Sequence, residues 1–292
     1  MKICLSCGFR FDTAEWRCPT CLLSPPNVMG FPAFAPELMA GEGNFRPELF
    51  DQLAELESTN FWFRARNRLI LWAFTRYFPQ ARNFLEIGCG TGYVLRGIAK
   101  AFPDLQICGS EIFISGLAHA AKRVPQAALF QMDARSIPFE NEFDVIGAFD
   151  VLEHIVEDEL VLKEMYQALR PGGGIILTVP QHPFLWSYSD ELACHVRRYT
   201  VKDALKKVKM AGFNVVLSTS FVSVLLPLMV ASRLRKRKVS SSQDPLSELR
   251  MSGVLNAALE KALDFERWFI SSGLSFPFGG SRLVIGFKES NS

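Results

Sequence analysis

The chain carries almost no excess charge of either sign: 32 lysines and arginines against 30 acidic residues leave a formal +2 over 292 residues. So even a balance gives no global electrostatic case for nucleic acid as a partner. Long apolar runs are missing as well. No stretch reaches the roughly 18 uninterrupted apolar residues of a membrane-spanning helix. The start, Met1-Lys2-Ile3-Cys4, has no secretory apolar segment, so the expected location is the cytoplasm. No internal repeat is visible. With 49% apolar and 21% charged residues the composition is that of a globular chain, long enough for one large core plus a small accessory module.

Cysteine is present but unevenly spread, with four of the seven in the first 21 residues. Cys4-x-x-Cys7 and Cys18-x-x-Cys21 form two knuckles, each able to present two thiolates to one ion, and tetrahedral zinc needs four such ligands. Gly8 and Pro19 suit the tight turns that aim backbone amides at sulfur. The reading is a zinc-ribbon-like module over 1–24, with Cys4, Cys7, Cys18 and Cys21 holding structural Zn²⁺. The segment between the knuckles is shorter than the commonest spacing, and two disulfides or reactive thiols are the alternatives. Cys89, Cys108 and Cys194 stand alone and read as buried or incidental.

Residues 25–50, with Pro25-Pro26, Pro32, Pro36 and Pro47, read as a linker. Over 51–80 the apolar positions Leu53, Leu56, Phe61, Leu69, Trp72 and Phe74 recur at helical spacing. Strands are then expected at 83–87, 106–110, 127–131, 143–149, 174–179, 213–219 and 282–287, and helices at 92–101, 114–123, 156–169 and 200–211. Such alternation implies an α/β fold, a largely parallel sheet with helices on both faces.

The most informative stretch is Phe84-Leu85-Glu86-Ile87-Gly88-Cys89-Gly90-Thr91-Gly92. An apolar run ends in an acidic residue and then breaks into glycine at every second position. That reads as a buried strand, a tight loop and a helix, with glycines letting the backbone bend and a ligand lie against it. The dinucleotide fingerprint places its third glycine one position later. Tyr93 stands there, which argues against a nicotinamide or flavin ligand.

Glu86-x-Gly88-x-Gly90-x-Gly92 instead resembles the first motif of class I S-adenosylmethionine-dependent methyltransferases, and further motifs follow in order over about residues 60–219. The resemblance implies a Rossmann-like seven-stranded methyltransferase sheet and S-adenosyl-L-methionine as cofactor. Glu86 resembles the residue that engages the cofactor's amino group. Glu111, ending the second strand, is placed to accept both ribose hydroxyls. Asp133 resembles the acceptor for the adenine amino group, and Ala134 and Asp150 complete the implied set. Tyr93 and Phe149 are candidate walls for the sulfonium, since aromatic faces attract cations. Leu169-Arg170-Pro171-Gly172-Gly173-Gly174 resembles the family's turn into the fifth strand, and Asp144 reads as ordering the start of the fourth.

The family usually joins its last two strands as a hairpin, whereas here roughly sixty residues separate them. The chain thus divides into a 51–80 helical lid, an 81–219 core, a 220–280 helical insertion and a 281–292 final strand and tail. Within the insertion, Phe221 to Leu234 is apolar, Arg233 to Lys238 is basic, and a helical stretch runs from about Leu246 to Phe269, with Pro227 expected to interrupt the first helix. An apolar face followed by cations can lie in a membrane interface, and a packed helix ending in a solvated charge run is the alternative.

Three segments are candidates for the acceptor side. Asn60 to Arg68 joins aromatics to a basic face, and related enzymes use such a helix as a lid, so Trp62 and Arg64 are candidate substrate residues. His182 follows the fifth strand, at the strand ends where open α/β sheets bind ligands. His195, Arg197 and Tyr199 follow, with Thr200 capping the next helix. His195 and His182 are the candidate general bases, needed only if the acceptor must lose a proton. Asp150-Val151-Leu152-Glu153-His154 is similar to a pattern in quinone-biosynthesis O-methyltransferases where a divalent metal is implicated; packing at a helix start is the alternative. His119 reads as structural.

The leading expectation is methyl transfer to a small-molecule or lipid- or glycan-linked acceptor. The alternatives are an RNA methyltransferase, since zinc ribbons accompany some of these, and a non-catalytic cofactor-binding protein whose ribbon recruits a protein partner. The Asn/Asp-Pro-Pro-aromatic motif of amino-group methylation on bases is missing.

Overall fold

The structure is a computed structural model that describes residues 1–39, 49–235 and 251–290. Two short strands, β1 (Lys2–Ile3) and β2 (Arg10–Phe11), pair antiparallel and carry the first knuckle. A second hairpin, β3 (Asn27–Val28) and β4 (Phe31–Pro32), lies within the stretch expected to be linker. The N-terminal helices are α1 (Leu49–Leu56) and α2 (Phe61–Tyr77). The core then alternates through β5 (Asn83–Ile87), α3 (Tyr93–Ala101), β6 (Gln106–Glu111), α4 (Ile114–Arg123), β7 (Ala128–Gln131) and β8 (Phe143–Phe149). It continues with α5 (Asp158–Ala168), β9 (Leu169–Pro180), the short α6 (Tyr188–Leu192), α7 (Val201–Met210) and β10 (Asn214–Phe221). The last elements are α8 (Leu226–Arg235), α9 (Gly253–Ser271) and β11 (Ser281–Phe287).

The main sheet has seven strands in the order β10-β11-β9-β8-β5-β6-β7. β7, β6, β5, β8 and β9 run parallel, and β11 runs antiparallel between β9 and β10. The chain reverses direction across the sheet at β5, so the crevice opens beyond the ends of β5 and β8. This is the fold expected from the sequence. Successive side chains along a strand bury into opposite layers. Phe84, Val145, Ile176 and Leu283 enter the apolar layer under α2, α3 and α4, while Leu85, Ile146, Ile175 and Val284 enter the layer under α5 and α7. That two-sided burial is why these strands read as continuous apolar runs.

Three boundaries differ from expectation. The helix expected over 51–80 is broken, because Asn60 caps α2 by accepting from Trp62 N at 2.9 Å. β10 continues to Phe221, so the first insertion helix starts only at Leu226. Pro227 therefore sits in its first turn, where no backbone donor is missed, and does not interrupt it. Lys236 to Lys238 and the expected helical stretch before Met251 lie outside the described residues, and the second insertion helix begins at Gly253, capped by Ser252.

The insertion packs on α2. Arg68 binds Asp264 through two nitrogens at 2.8 and 3.0 Å, and Phe61 N donates to Asn256 Oδ1 at 2.8 Å. At the other end, Trp16 of the cysteine module sits edge-on among Phe34, Phe130 and Phe139, with ring centroids 4.6–5.7 Å away. Phe34 N donates to Gln131 O, and the Gln131 amide bonds both N and O of Ala35. The N-terminal module is thereby built into the β7 edge.

Candidate active site

The glycine loop joins β5 to α3. Gly88, Gly90 and Gly92 all have positive φ, at +65°, +50° and +76°. A Cβ on Gly92 would lie 2.8 Å from Ala120 Cα, and one on Gly88 would lie 2.6 Å from Val151 Cγ2. These two are thus demanded by packing. Gly90 meets only the Phe50 ring, at 3.6 Å, so it is the least crowded of the three. α1 is tied down over the loop by Glu57, which accepts from Thr91 Oγ1 and from Arg123, each at 2.5 Å.

Acidic groups surround this loop. Glu86 is 3% exposed, and its Oε2 has no hydrogen-bond partner. Burial raises its pKa well above the usual carboxylate range, against the pull of Arg66. Glu111 accepts from Gly90 N at 2.9 Å and from Ile112 and Phe113 N at 2.9 and 3.2 Å. Asp133 lies past β7, clamped by Arg135 at 2.8–3.1 Å, with Ala134 buried beside it. Asp150 lies past β8, at φ +59°, and binds Arg66 of α2. Arg66 is buried, stacks over Trp62 at 4.4 Å, and burial lowers its pKa to about 10. The structure therefore brings Glu86, Glu111, Asp150 and the glycines to one rim, with Trp62 beneath Arg66.

His195 lies on the far side of the crevice. Its Nδ1 is 2.9 Å from Asp190 Oδ1, and its Nε2 is 3.9 Å from Glu153 Oε1. Asp190 is 1% exposed and also accepts from Arg198 at 2.7 Å. Burial alone would raise the Asp190 pKa, but His195 and Arg198 outweigh it and hold it at about 2. An ionised Asp190 fixes the Nδ1–H tautomer of His195 and leaves the Nε2 lone pair facing Glu153. Glu153, His154 and His195 bring one carboxylate and two imidazoles within 4.8 Å, a donor set that a divalent cation accepts. Asp150, first in the metal-associated pattern, is not among them because Arg66 holds it.

Three expected substrate residues are placed elsewhere. Arg64 points to Glu260 of α9, at 3.1 Å. Arg197 is taken by Asp158 at 2.5 Å, and Tyr199, 2% exposed, donates to the same carboxylate at 2.6 Å. The Arg197 charge and the Tyr199 hydroxyl are satisfied behind the crevice, in a network with Lys207. Sequence reasoning counted Arg66 only among the basic face of its helix and passed over Asp190 and Glu57. Arg66 lies one helical turn from Trp62, and Asp190 closes a capping box with Ser187, signals that were present in the pattern.

At the N-terminus, Cys4 and Cys21 sulfurs lie 3.5 Å apart, Cys7 and Cys18 sulfurs 3.6 Å apart, and all four within 4.8 Å. Zinc–sulfur bonds of about 2.3 Å in a tetrahedron space the sulfurs by about 3.8 Å. The four fit one ion.

A parallel sheet reversing at β5, a glycine loop entering a helix, and carboxylates at successive strand ends define a Rossmann-like nucleotide-cofactor-binding protein. More narrowly, the chain belongs to the methyltransferase domain family, which matches residues 55–218. It is similar to the biotin biosynthesis bifunctional protein BioHC of Teredinibacter turnerae, 25% identical over 240 residues, covering 75% of this chain and 41% of that one. It is also similar to a malonyl-[acyl-carrier protein] O-methyltransferase of Priestia megaterium, 24% identical over 144 residues, covering 49% and 51%. The chain spans about half the length of the curated relatives it matches. In fold it resembles Haemonchus contortus phosphoethanolamine N-methyltransferase 2 with bound S-adenosyl-L-methionine, with TM-score 0.51, 22% identity, and coverage of 77% and 52%.

Proposed function

We propose that this protein transfers a methyl group from S-adenosyl-L-methionine to a small-molecule acceptor. The observation that carries the reading is the buried, unpartnered Glu86 oxygen beside a glycine loop with Glu111 at the neighbouring strand end. An unpaired buried carboxylate costs stability, and a cofactor ammonium is the partner that removes that cost. Glu86 would hold the amino group, Glu111 the ribose and Asp133 the adenine edge. Glycine at 90 leaves the backbone bare where the ligand lies. The bound cofactor supplies an electrophilic methyl on a sulfonium with a neutral leaving group. The protein's tasks are alignment and exclusion of water, which the α1–α2 lid serves. For a hydroxyl or ammonium acceptor, His195 takes the proton through Nε2, held in orientation by Asp190.

Calorimetry with S-adenosylmethionine and S-adenosylhomocysteine tests the reading. Binding of both, with the product form retained after turnover, is expected; absence of binding to either would falsify it. The four sulfurs support structural zinc, checked by one zinc per chain on metal analysis. Peripheral contact of residues 221–238 with a membrane is supported by the exposed Val224 and Leu228, and the insertion's other helix, α9, also exposes Phe265 and Trp268. No helix among the described residues is long and apolar enough to cross a membrane. A protein partner at the cysteine module is supported by the exposed Leu22, Leu23 and Met29.

A further inference from the structure

Arg282, on β11, is 2% exposed, and among the described residues no carboxylate lies within ion-pair distance of it. The other arginines of this region are matched: Arg66 by Asp150, Arg197 by Asp158 and Arg198 by Asp190. Arg282 instead donates to Ser218 Oγ at 2.6 Å, Ser220 Oγ at 2.9 Å and the Pro277 carbonyl at 3.3 Å. Its Nε has no partner. A buried cation without a counter-charge is expensive, and burial lowers its pKa.

The hydrogen bonds leaving Arg282 have only one possible direction. A guanidinium donates and never accepts. Ser220 Oγ therefore accepts from it, and its own proton goes to Gln181 Oε1 at 2.8 Å. The Gln181 nitrogen also faces the Pro277 carbonyl at 3.3 Å, an acceptor only, which fixes the amide orientation. That nitrogen then donates to His182 Nε2 at 3.0 Å. His182 is neutral as a result, with its proton on Nδ1. Burial, then Arg282 and Arg198, also push its pKa down.

The ring is held in place by its surroundings. It stacks on Phe184 at 4.9 Å and Phe278 at 5.8 Å, both exposed rings. His182 sits at φ +64°, a conformation that costs a non-glycine residue about 1–3 kcal/mol and gathers at functional sites. It follows β9, whose Thr178 pairs with Phe149 and accepts from Asp150 N at the crevice end of β8.

We propose that the His182 Nδ1–H, backed by the uncompensated charge of Arg282 through Ser220 and Gln181, is the subsite for an anionic group, a carboxylate or phosphate, on the methyl acceptor. This rests on the methyltransferase reading. It makes His182 a hydrogen-bond donor that orients the acceptor and leaves proton removal to His195.

The test is nitrogen-15 NMR of the histidines in the full chain, with inorganic phosphate and malonate as probes. Free His182 is expected as the Nδ1–H tautomer. Either probe should shift its Nδ1 resonance and raise its pKa, and the tighter probe identifies the acceptor's anion. Arg282→Met and Ser220→Ala should each weaken probe binding by about tenfold or more. S-adenosylhomocysteine affinity in both variants should stay within about twofold of the parent, and that control also establishes that they fold. A free His182 protonated on Nε2, or neither probe perturbing it while S-adenosylhomocysteine still binds, overturns the subsite. Loss of S-adenosylhomocysteine binding by the parent protein overturns the underlying reading instead.

Discussion

Replacing Glu86 with Gln should raise the stability of the ligand-free protein and lower its affinity for S-adenosylmethionine. In the free protein Glu86 is 3% exposed, with one oxygen unpartnered, an arrangement that costs about 1–3 kcal/mol. Glutamine keeps the shape and removes the ionisable group. At about 2–4 °C per kcal/mol, the melting temperature should rise by several degrees. With ligand bound, the same change removes a charge-assisted hydrogen bond worth about 1.5–3 kcal/mol, so Kd should rise roughly 10- to 150-fold. Protons give a second readout. Burial raises the pKa of free Glu86, and a cofactor ammonium would lower it again. Binding must then release a proton, and affinity must increase with pH between the two values. Calorimetry in two buffers of different ionisation enthalpy, alongside thermal melts, measures all three. If Glu86→Gln melts lower and binds S-adenosylmethionine as well as the parent, with no proton released, the assignment of Glu86 is refuted.

Asp190→Asn should cut turnover about 100-fold or more with little change in cofactor affinity, because His195 loses the partner that fixes its tautomer; equal turnover at all pH values would remove His195 as the base. The same carboxylate shapes acid stability. Its folded pKa of about 2 lies below its usual 3.8, so its contribution is present above pH 3.8 and lost as pH falls toward 2, amounting to about 2 kcal/mol. Urea melts against pH should show that loss in the parent and not in Asp190→Asn. Trp16→Ala should destabilise the fold by about 1–3 kcal/mol, since the ring is only half-buried, and zinc chelation should lower the melting temperature in the same direction; a chelated protein that melts unchanged would detach the cysteine module from the fold. Flotation with anionic vesicles tests the membrane surface: Phe265→Ser with Trp268→Ser should abolish co-flotation, and a parent protein that stays with the pellet ends that reading.

The strands were legible because both sheet faces are buried, which writes nearly continuous apolar runs at 84–87, 143–149 and 175–179. The glycine loop was legible because its backbone geometry tolerates few residues. The break between α1 and α2 was harder: helical spacing runs through Glu57 and Asn60, and the Asn60 cap on Trp62 N, with the tertiary bonds of Glu57 to Thr91 and of Phe61 to Asn256, marks where the chain turns. Telling Arg64 from Arg66 was hard for a related reason. Both lie on α2, and which one faces inward shows only in their tertiary partners, Glu260 of a distant helix for Arg64 and Asp150 past β8 for Arg66. Arg197 and Tyr199 shared a segment with His195 and so looked like one site, yet Asp158 draws them behind it. Arg282 was invisible as a functional residue, since its relay joins β9, β10 and β11 and leaves no local pattern.

The most direct test of the central claim is incubation of the purified protein with methyl-labelled S-adenosylmethionine and fractionated cell extract. Label is predicted to enter an anionic small-molecule fraction, and to be lost with Glu86→Gln. Tight cofactor binding with no label in any fraction would contradict methyl transfer and leave a cofactor-binding protein.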